Sequence, residues 1–410
     1  MDLSAALESV LDSEARLDPA AFALGGRTPR AAFAPRSAEE VAEVLRACAA
    51  EKLAVRPWGG GAHRPATAPA RFDVALSLAR FDRVVDYEPG DLTCTLGAGL
   101  TLQRAGQEIA AHGQELPLES AHVHRATVGG VCAANASGAR RAWLGSPRDR
   151  VLGMRFVTGD GVMARSGGRV VKNVAGYGIH RLLCGSNGAL AVILEASFKL
   201  LPSPQQRVAL VYALGSEPPA TERLCALRAS RQDPSVLTAL DPAAAAALGG
   251  FGGGGAWTLI LGLEADAPWV AEQERIAAAL LGAPTLRLSQ EEAASLWQRL
   301  SDLDGPGDDL LLSAAVPPAR AAEALQAIHQ AGARAAWVHV PSGGLRARFA
   351  ASGEAAARAA IESLHALGGV PQSLPGANGF AAARDAGEPA IASLRDRLRG
   401  ALDPAGTLSV

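Results

Sequence analysis

The sequence predicts an α+β protein of two or three domains, and three observations carry that prediction. The chain has 410 residues, 49% hydrophobic and only 20% charged, which is enough apolar material for more than one buried core. The first half alternates short strand patterns with a capped helix and unusually dense clusters of glycine and alanine. Beyond Pro202 and Pro204 the pattern changes to strands alternating with helices, as in an antiparallel sheet with helices on one face.

Composition excludes several classes of function. A formal net charge of −2 gives no basic surface for nucleic acid or for direct attachment to an anionic membrane. The cysteines Cys48, Cys94, Cys132, Cys184 and Cys225 are odd in number, scattered and without a CxxC pair, so neither a disulfide framework nor a zinc site is expected. The start "MDLSAALESVLDSEARL" is acidic, with Leu3, Leu7 and Val10 at helical spacing, unlike a secretory leader; a cytoplasmic location is expected. Pro242 to Leu263 carries no charge, but "GGFGGGG" interrupts it, so it reads as helix, glycine loop and strand rather than a membrane span.

Taken in order, Ser37 with Glu40 opens an amphipathic helix through Val41, Val44, Leu45 and Cys48 by a capping box. "KLAVRP" reads as a strand entering "WGGGAH", Trp58 to His63, where three glycines let successive N–H groups converge on an anion. A valine at Gly60 is expected to put methyl groups where such an anion lies. Phe72, Val74, Leu76 and Leu78 alternate on a strand, and "RVVDY" and "LTCTL" flank the turn "EPGD" as a hairpin. "GAGLTL" approaches the dinucleotide fingerprint GxGxxG, but Leu102 stands at its third glycine and the strand before it belongs to a hairpin, which argues against a Rossmann unit.

The densest segment is "ATVGGVCAANASGARRAWLGSPRDRVLGMRFVTGDG", Ala126 to Gly161. Its small residues Gly129, Gly130, Ala133, Ala134, Ala136 and Gly138 make a surface for a large flat ligand, and Thr127, Asn135 and Ser137 add polar groups. "RVLGMRFVTGDGVMAR" then reads as two strands joined at Gly-Asp-Gly.

The glycine loop, the "ATVGG…NASG" run, "RDRVLGMRFVTGDG" and "KNVAGYGIHRLLCGSNGALAVI" together resemble the FAD-binding domain of the vanillyl-alcohol oxidase / p-cresol methylhydroxylase type, over roughly residues 30 to 202. "SGARRAWLGSPRDRVLG" and "GGRVVKNVAGYGIHRLLCGS" are similar to the smaller FAD-binding subunit of bacterial glycolate oxidase. The resemblance implies a two-lobed FAD-binding domain over 1–204, an α+β cap with an antiparallel sheet over 205–375, and a helical segment over 376–410 returning to the first domain. It implies FAD contacts from Pro57, Trp58, Gly59, Gly60, Gly61, Ala62, His63, Pro117, Thr127, Val128, Gly129, Gly130, Ala133, Asn135, Ser137, Gly138, Lys172, Asn173, Gly188, Val192 and Ile193. Ala62 stands where covalent members carry the linking histidine, so FAD is expected to be noncovalent. Gly178 and Ala191 replace the family's usual Asp and Gly.

In the second half, "AWTLILGL" precedes a helix with Trp269, Ile276 and Leu280, and Ser289 with Glu292 is expected to cap another carrying Leu296 and Leu300. "DLLLSAAV", a helix through Leu325, "RAAWVHV" and "LRARFAA" continue the series. Free-standing D-2-hydroxyacid dehydrogenases of this superfamily carry a metal-binding histidine motif in the cap; "WVHVPSGGLRARF" keeps His339 and glycines but lacks the second histidine, so no metal site is expected. His122 and His124 lack a completing ligand. A 2-hydroxyacid carboxylate calls for a guanidinium, and Arg346, Arg348, Arg140 and Arg141 are candidates, with His339 and Arg346 the catalytic candidates. "LRGALDPAGTLSV" also lacks the Asn-Pro-Gly turn of relatives.

The resemblance implies an FAD-containing subunit of a glycolate-oxidase-like complex that oxidises a small 2-hydroxyacid of the glycolate or D-lactate class. Its implied partners are a larger FAD-binding subunit and an iron–sulfur subunit, with membrane contact only through them. Two alternatives stand beside it: a self-sufficient FAD dehydrogenase, and a subunit that binds FAD for structure or electron relay without turning over substrate.

Overall fold

A computed structural model describes residues 11–63, 71–169, 176–230, 232–250, 255–304, 309–373 and 389–409. The chain forms two units, one made of Met1–Ser137, Gly145–Ser203 and Glu388–Val410, the other of Gly138–Leu144 and Pro204–Gly387. The first boundary is expected after residue 204; the division here falls between Ser203 and Pro204, and the stretch 138–144 lies in the second unit and not with the glycine-rich run that precedes it. The boundary expected at residue 375, and the helix expected over residues 3 to 10, lie outside the described residues.

The first unit contains two main sheets. One has the strand order Arg16–Leu17, Ala31–Phe33, Val74–Ser77, Val55–Trp58, with the last three mutually parallel. All four residues of Val74–Ser77 are buried, because this strand is covered on both faces: Val74 and Leu76 enter the main core, Ala75 a smaller cluster with Phe22, Trp58 and Phe72. The helix Ala38–Ala50 is capped by Ser37, whose hydroxyl accepts from the Glu40 N–H at 3.1 Å. Glu40 reaches back one residue further than a standard capping box, to the N–H of Arg36 at 2.7 Å.

The second sheet is wholly antiparallel, in the order Val84–Glu88, Thr93–Gly97, Ala191–Lys199, Val151–Thr158, Met163–Gly167. The strand ending at Gly97 therefore lies in a hairpin sheet, not in a βαβ unit. A Cβ on Gly97 or Gly99 would meet the carbonyls of Phe81 or Leu78, so these two glycines serve backbone packing and do not cradle a phosphate. The C-terminal helix Pro389–Leu402 ends at Asp403, whose carboxylate accepts from the N–H groups of Thr407 and Leu408, each at 2.8 Å. That turn lays the tail beside Val55, with Val55 N–H donating to Thr407 at 2.7 Å and Ser409 N–H donating to Val55 at 2.8 Å.

The second unit is built on an eight-stranded antiparallel sheet ordered Leu286–Ser289, Gln206–Ala213, Thr258–Ala265, Val236–Leu240, Ala335–His339, Gly344–Phe349, Leu310–Ala315, Val370–Ser373. Helices cover both faces, not one as expected. Val208, Leu210 and Tyr212 point to a core shared with Leu224, Val270, Leu325 and Leu364; the alternate residues Ala209 and Val211 point to a second core with Ala244, Leu296, Trp297 and Trp337. Ala139 belongs to this second core. The uncharged stretch from Pro242 divides into the helix Pro242–Ala247 and, later, the strand Thr258–Ala265; no helix among the described residues is long and apolar enough to cross a membrane. The helix Glu291–Asp302 begins without a side-chain cap from Ser289; instead the Glu292 carboxylate accepts from the Ser289 N–H at 3.4 Å.

Candidate cofactor-binding site

In the first unit, the strand Val55–Trp58 delivers the chain into Gly59–Gly61, and Gly61 takes a left-handed φ of 70° that a side chain would strain. Opposite this loop stands the helix Val128–Ala134, capped by Thr127, whose hydroxyl accepts from the Gly130 N–H at 3.3 Å. Asn135 ends that helix in the left-handed region, and the 185–188 loop clamps its end: Gly185 N–H donates to Cys132 at 3.1 Å and Asn187 N–H to Ala133 at 2.8 Å.

These three segments line two adjoining clefts that open to solvent, with about 540 and 380 Å³ of empty space including their mouths. The first is lined by Arg56, Pro57, Trp58, Gly59, Gly60, Gly61, Ala62, His63, Thr127, Gly130, Ala133, Ala134 and Asn187. The second shares seven of these residues and adds Leu78, Ala98, Gly129, Gly188, Ala191 and Ile193. Most of the residues expected to contact FAD thus meet around one continuous hollow.

The others are placed elsewhere. Val128 and Val192 are fully buried in the core, and Pro117 is buried without lining either cleft. The Asn135 side-chain oxygen accepts from the Arg148 N–H at 3.1 Å, and Ser137 does not line the hollow. Gly138 belongs to the second unit. Lys172 and Asn173 lie outside the described residues. Ala134, expected in the small-residue surface, and Ala191, expected at a position where glycine is usual, also line the hollow. Lining residues for which no ligand contact is expected from sequence are Arg56, Leu78, Ala98 and Asn187, and of these Arg56 alone carries a visible signal, as a charge inside an apolar strand.

The glycines of the loop have separate reasons for being glycine. A Cβ at Gly59 would strike the Thr127 hydroxyl, and one at Gly60 would strike the Arg125 carbonyl. A valine at Gly60 would therefore first disrupt the protein's own packing, contrary to the expectation that it would meet a bound anion alone. At Gly130 the first neighbour is Thr127 Oγ1 at 3.2 Å, so this position reports on the hollow more directly.

The hollow's electrostatics are lopsided. His63 Nε2 lies 2.7 Å from the Ser120 hydroxyl, and burial, with His122 nearby, pushes its pKa down to about 4, so the ring is neutral. Arg56 is 7% exposed, and its Nη1 is buried with no hydrogen-bond partner among the described residues. An orphaned guanidinium nitrogen beside a wall of glycine and alanine fits a flat ligand that carries negative charge, as FAD does. Among the described residues no three His, Cys, Asp or Glu side chains are placed to hold a metal.

The cap candidates are committed within their own unit. His339 is 6% exposed at the end of its strand, its Nδ1 2.8 Å from the Thr238 hydroxyl; burial, then Arg346 and Arg141, drive its pKa down to about 3. Arg346 pairs with Asp304 at 3.3 Å, and Arg348 donates twice to the Leu303 carbonyl, at 3.2 and 2.7 Å. Arg140 is buried against Glu264 at 3.1 Å.

An FAD binding domain family matches residues 29–167. Over 128 residues the chain is 44% identical to glycolate oxidase subunit GlcE of Escherichia coli K12, a span covering 31% of this chain and 37% of that one. Over 214 residues it is 28% identical to glycolate oxidase subunit GlcD of Bacillus subtilis, covering 52% and 46%. The chain thus spans less than half the length of these curated relatives. In fold it is similar to p-cresol methylhydroxylase, solved with substrate bound, at a TM-score of 0.75 and 16% identity over 98% of this chain and 94% of that one. The chain carries an FAD-binding domain, and its fold is that of the p-cresol methylhydroxylase type.

Proposed function

We propose that the protein is a flavoprotein subunit of a multi-subunit 2-hydroxyacid oxidase, of the glycolate or D-lactate class, resembling the smaller flavin subunit of glycolate oxidase. The observation that carries this reading is the hollow itself: a glycine loop, a small-residue helix and a glycine turn from three distant parts of the chain close around one site. The match to two glycolate oxidase subunits supports the substrate class. Bound FAD would supply a two-electron acceptor for the hydride at C2 of a hydroxyacid. This chain's residues hold and orient: Gly59–Gly61 and Thr127–Ala133 form the walls, Trp58 is fixed between Phe22 and Phe72, and neutral His63 adds no charge.

The same geometry favours dependence on partners. Oxidation of a hydroxyacid needs a cation for its carboxylate and a base for its hydroxyl in one pocket. His339 and Arg346, the residues the sequence offers, are occupied by Thr238 and Asp304. A larger FAD-binding subunit and an iron–sulfur subunit would complete the assembly and carry electrons onward. Anaerobic mixing with glycolate or D-lactate tests this: the isolated chain should bleach its flavin absorbance very slowly or not at all, and co-expression with both partners should restore turnover. Fast, complete bleaching of the isolated chain would favour a self-sufficient dehydrogenase, with Arg346 and His339 the first residues to replace.

A further inference from the structure

We propose that Arg56 is the counter-cation for the diphosphate bridge of the bound dinucleotide. The inference rests on the reading of the hollow as the FAD site and assigns a role to a residue that the glycine loop alone does not explain.

The strand period places Arg56 and Trp58 on one side of Val55–Trp58, and Val55 and Pro57 on the other. Trp58's side is apolar, packed with Phe22, Leu24, Ala32, Phe72 and Ala75. A guanidinium is out of place there. It stays charged at any ordinary pH, and a buried charge without a partner is among the most costly arrangements a fold can keep. Burial lowers the Arg56 pKa, with no neighbouring charge acting to offset it. No carboxylate among the described residues pairs with it. Arg56 lines the same cleft as Gly59–Gly61, three residues before the loop's first glycine. What is missing is an anion, and the diphosphate is the anionic part of FAD. A guanidinium's rigid fork of N–H groups matches paired phosphate oxygens.

The test uses the full chain stripped of flavin. FAD affinity is measured by titration, with ADP and adenosine as competitors. Arg56→Met keeps length and removes charge; it should weaken FAD about 10- to 100-fold, the range for a charge-assisted hydrogen bond. It should weaken ADP comparably and leave adenosine within about twofold, while Arg56→Lys falls between. The stripped Arg56→Met chain should melt no lower than wild type, because it loses an unpaired charge. A purely structural arginine would instead lower the melting temperature and weaken FAD, ADP and adenosine alike, overturning the proposal. Gly130→Val separates the two layers of argument. If it loses FAD while Arg56→Met binds like wild type, only the role of Arg56 falls. If both bind like wild type, the site itself is misplaced and the proposal falls with it.

Discussion

Glu264→Gln should destabilise the second unit by about 3 kcal/mol, the low end of the 3–5 kcal/mol typical when one partner of a buried ion pair is removed. The Glu264 side chain is 3% exposed and accepts from Trp297 Nε1 at 2.7 Å, Ser235 Oγ at 3.1 Å and Arg140 Nη1 at 3.1 Å, with Arg207 Nε at 3.5 Å. Burial alone would raise its pKa; Arg140, Arg207, Trp297 and Ser235 together outweigh that and hold it below the usual carboxylate value. Glutamine keeps an oxygen for Trp297 and Ser235 but strips the charge. The Arg207 side chain, 21% exposed, can turn towards water, whereas that of Arg140, 10% exposed, cannot. The loss therefore comes mainly from one stranded cation. Urea unfolding followed by tryptophan fluorescence should show the midpoint of this unit falling by about 1.5 M, for a slope of about 2 kcal/mol/M. In an Arg140→Met background the same change should cost only about 1 kcal/mol. Because the folded pKa is depressed, the contribution is present above the unfolded value near 4.5 and disappears as pH falls through the folded value, so wild type and variant should converge in acid. A loss under 1 kcal/mol at pH 7, or an equal loss in both backgrounds, would refute this account.

Two further outcomes follow from the sites. If Ala62 stands, as the sequence resemblance implies, where covalent flavoproteins carry their linking histidine, then with His63 Nε2 engaged with Ser120 acid precipitation should leave the flavin in the supernatant; flavin retained in the pellet would show a covalent bond. His63, lowered to about 4, and His339, lowered to about 3, stay neutral in the folded state at pH values where the unfolded chain is already protonated. Stability should therefore decline as pH falls from about 6.5 towards 4, and His339→Asn, which can still bond Thr238, should flatten that decline; an unchanged profile would exclude His339 as a contributor.

Much of the cofactor hollow was legible because its parts are local. Ser37 sits where a cap is needed, "EPGD" makes its hairpin, and a run as small as "ATVGGVCAA" has few uses other than close approach, though that Thr127 caps its helix shows only in the fold. What was not legible depended on distance along the chain. Arg140 looks like a solvent-facing arginine until Glu264, 124 residues away, is placed beside it. The stretch 138–144 reads as a continuation of the glycine-rich run, yet Ala139 is held in the second unit's core by Ala209, Val211 and their neighbours. The two-sided helical cover could have been read: "VALVYA" and "TLILGL" are continuous apolar runs, and a strand with only one covered face would alternate.

The glycine loop shows where reading a motif stops and structure must begin. Three successive glycines suggest one purpose, an open backbone for an anion. In the fold they have three: Gly59 yields to the Thr127 hydroxyl, Gly60 to the Arg125 carbonyl, and Gly61 to its own positive φ. Two of the three are thus required for the loop to lie against the 125–127 segment at all. The loop shapes the hollow, while the fixed charge that suits an anion comes from Arg56, on the strand before it. Affinity and shape are therefore separable here, and substitutions at Gly59 or Gly60 that abolish flavin binding would say more about how the hollow is built than about how it holds its ligand.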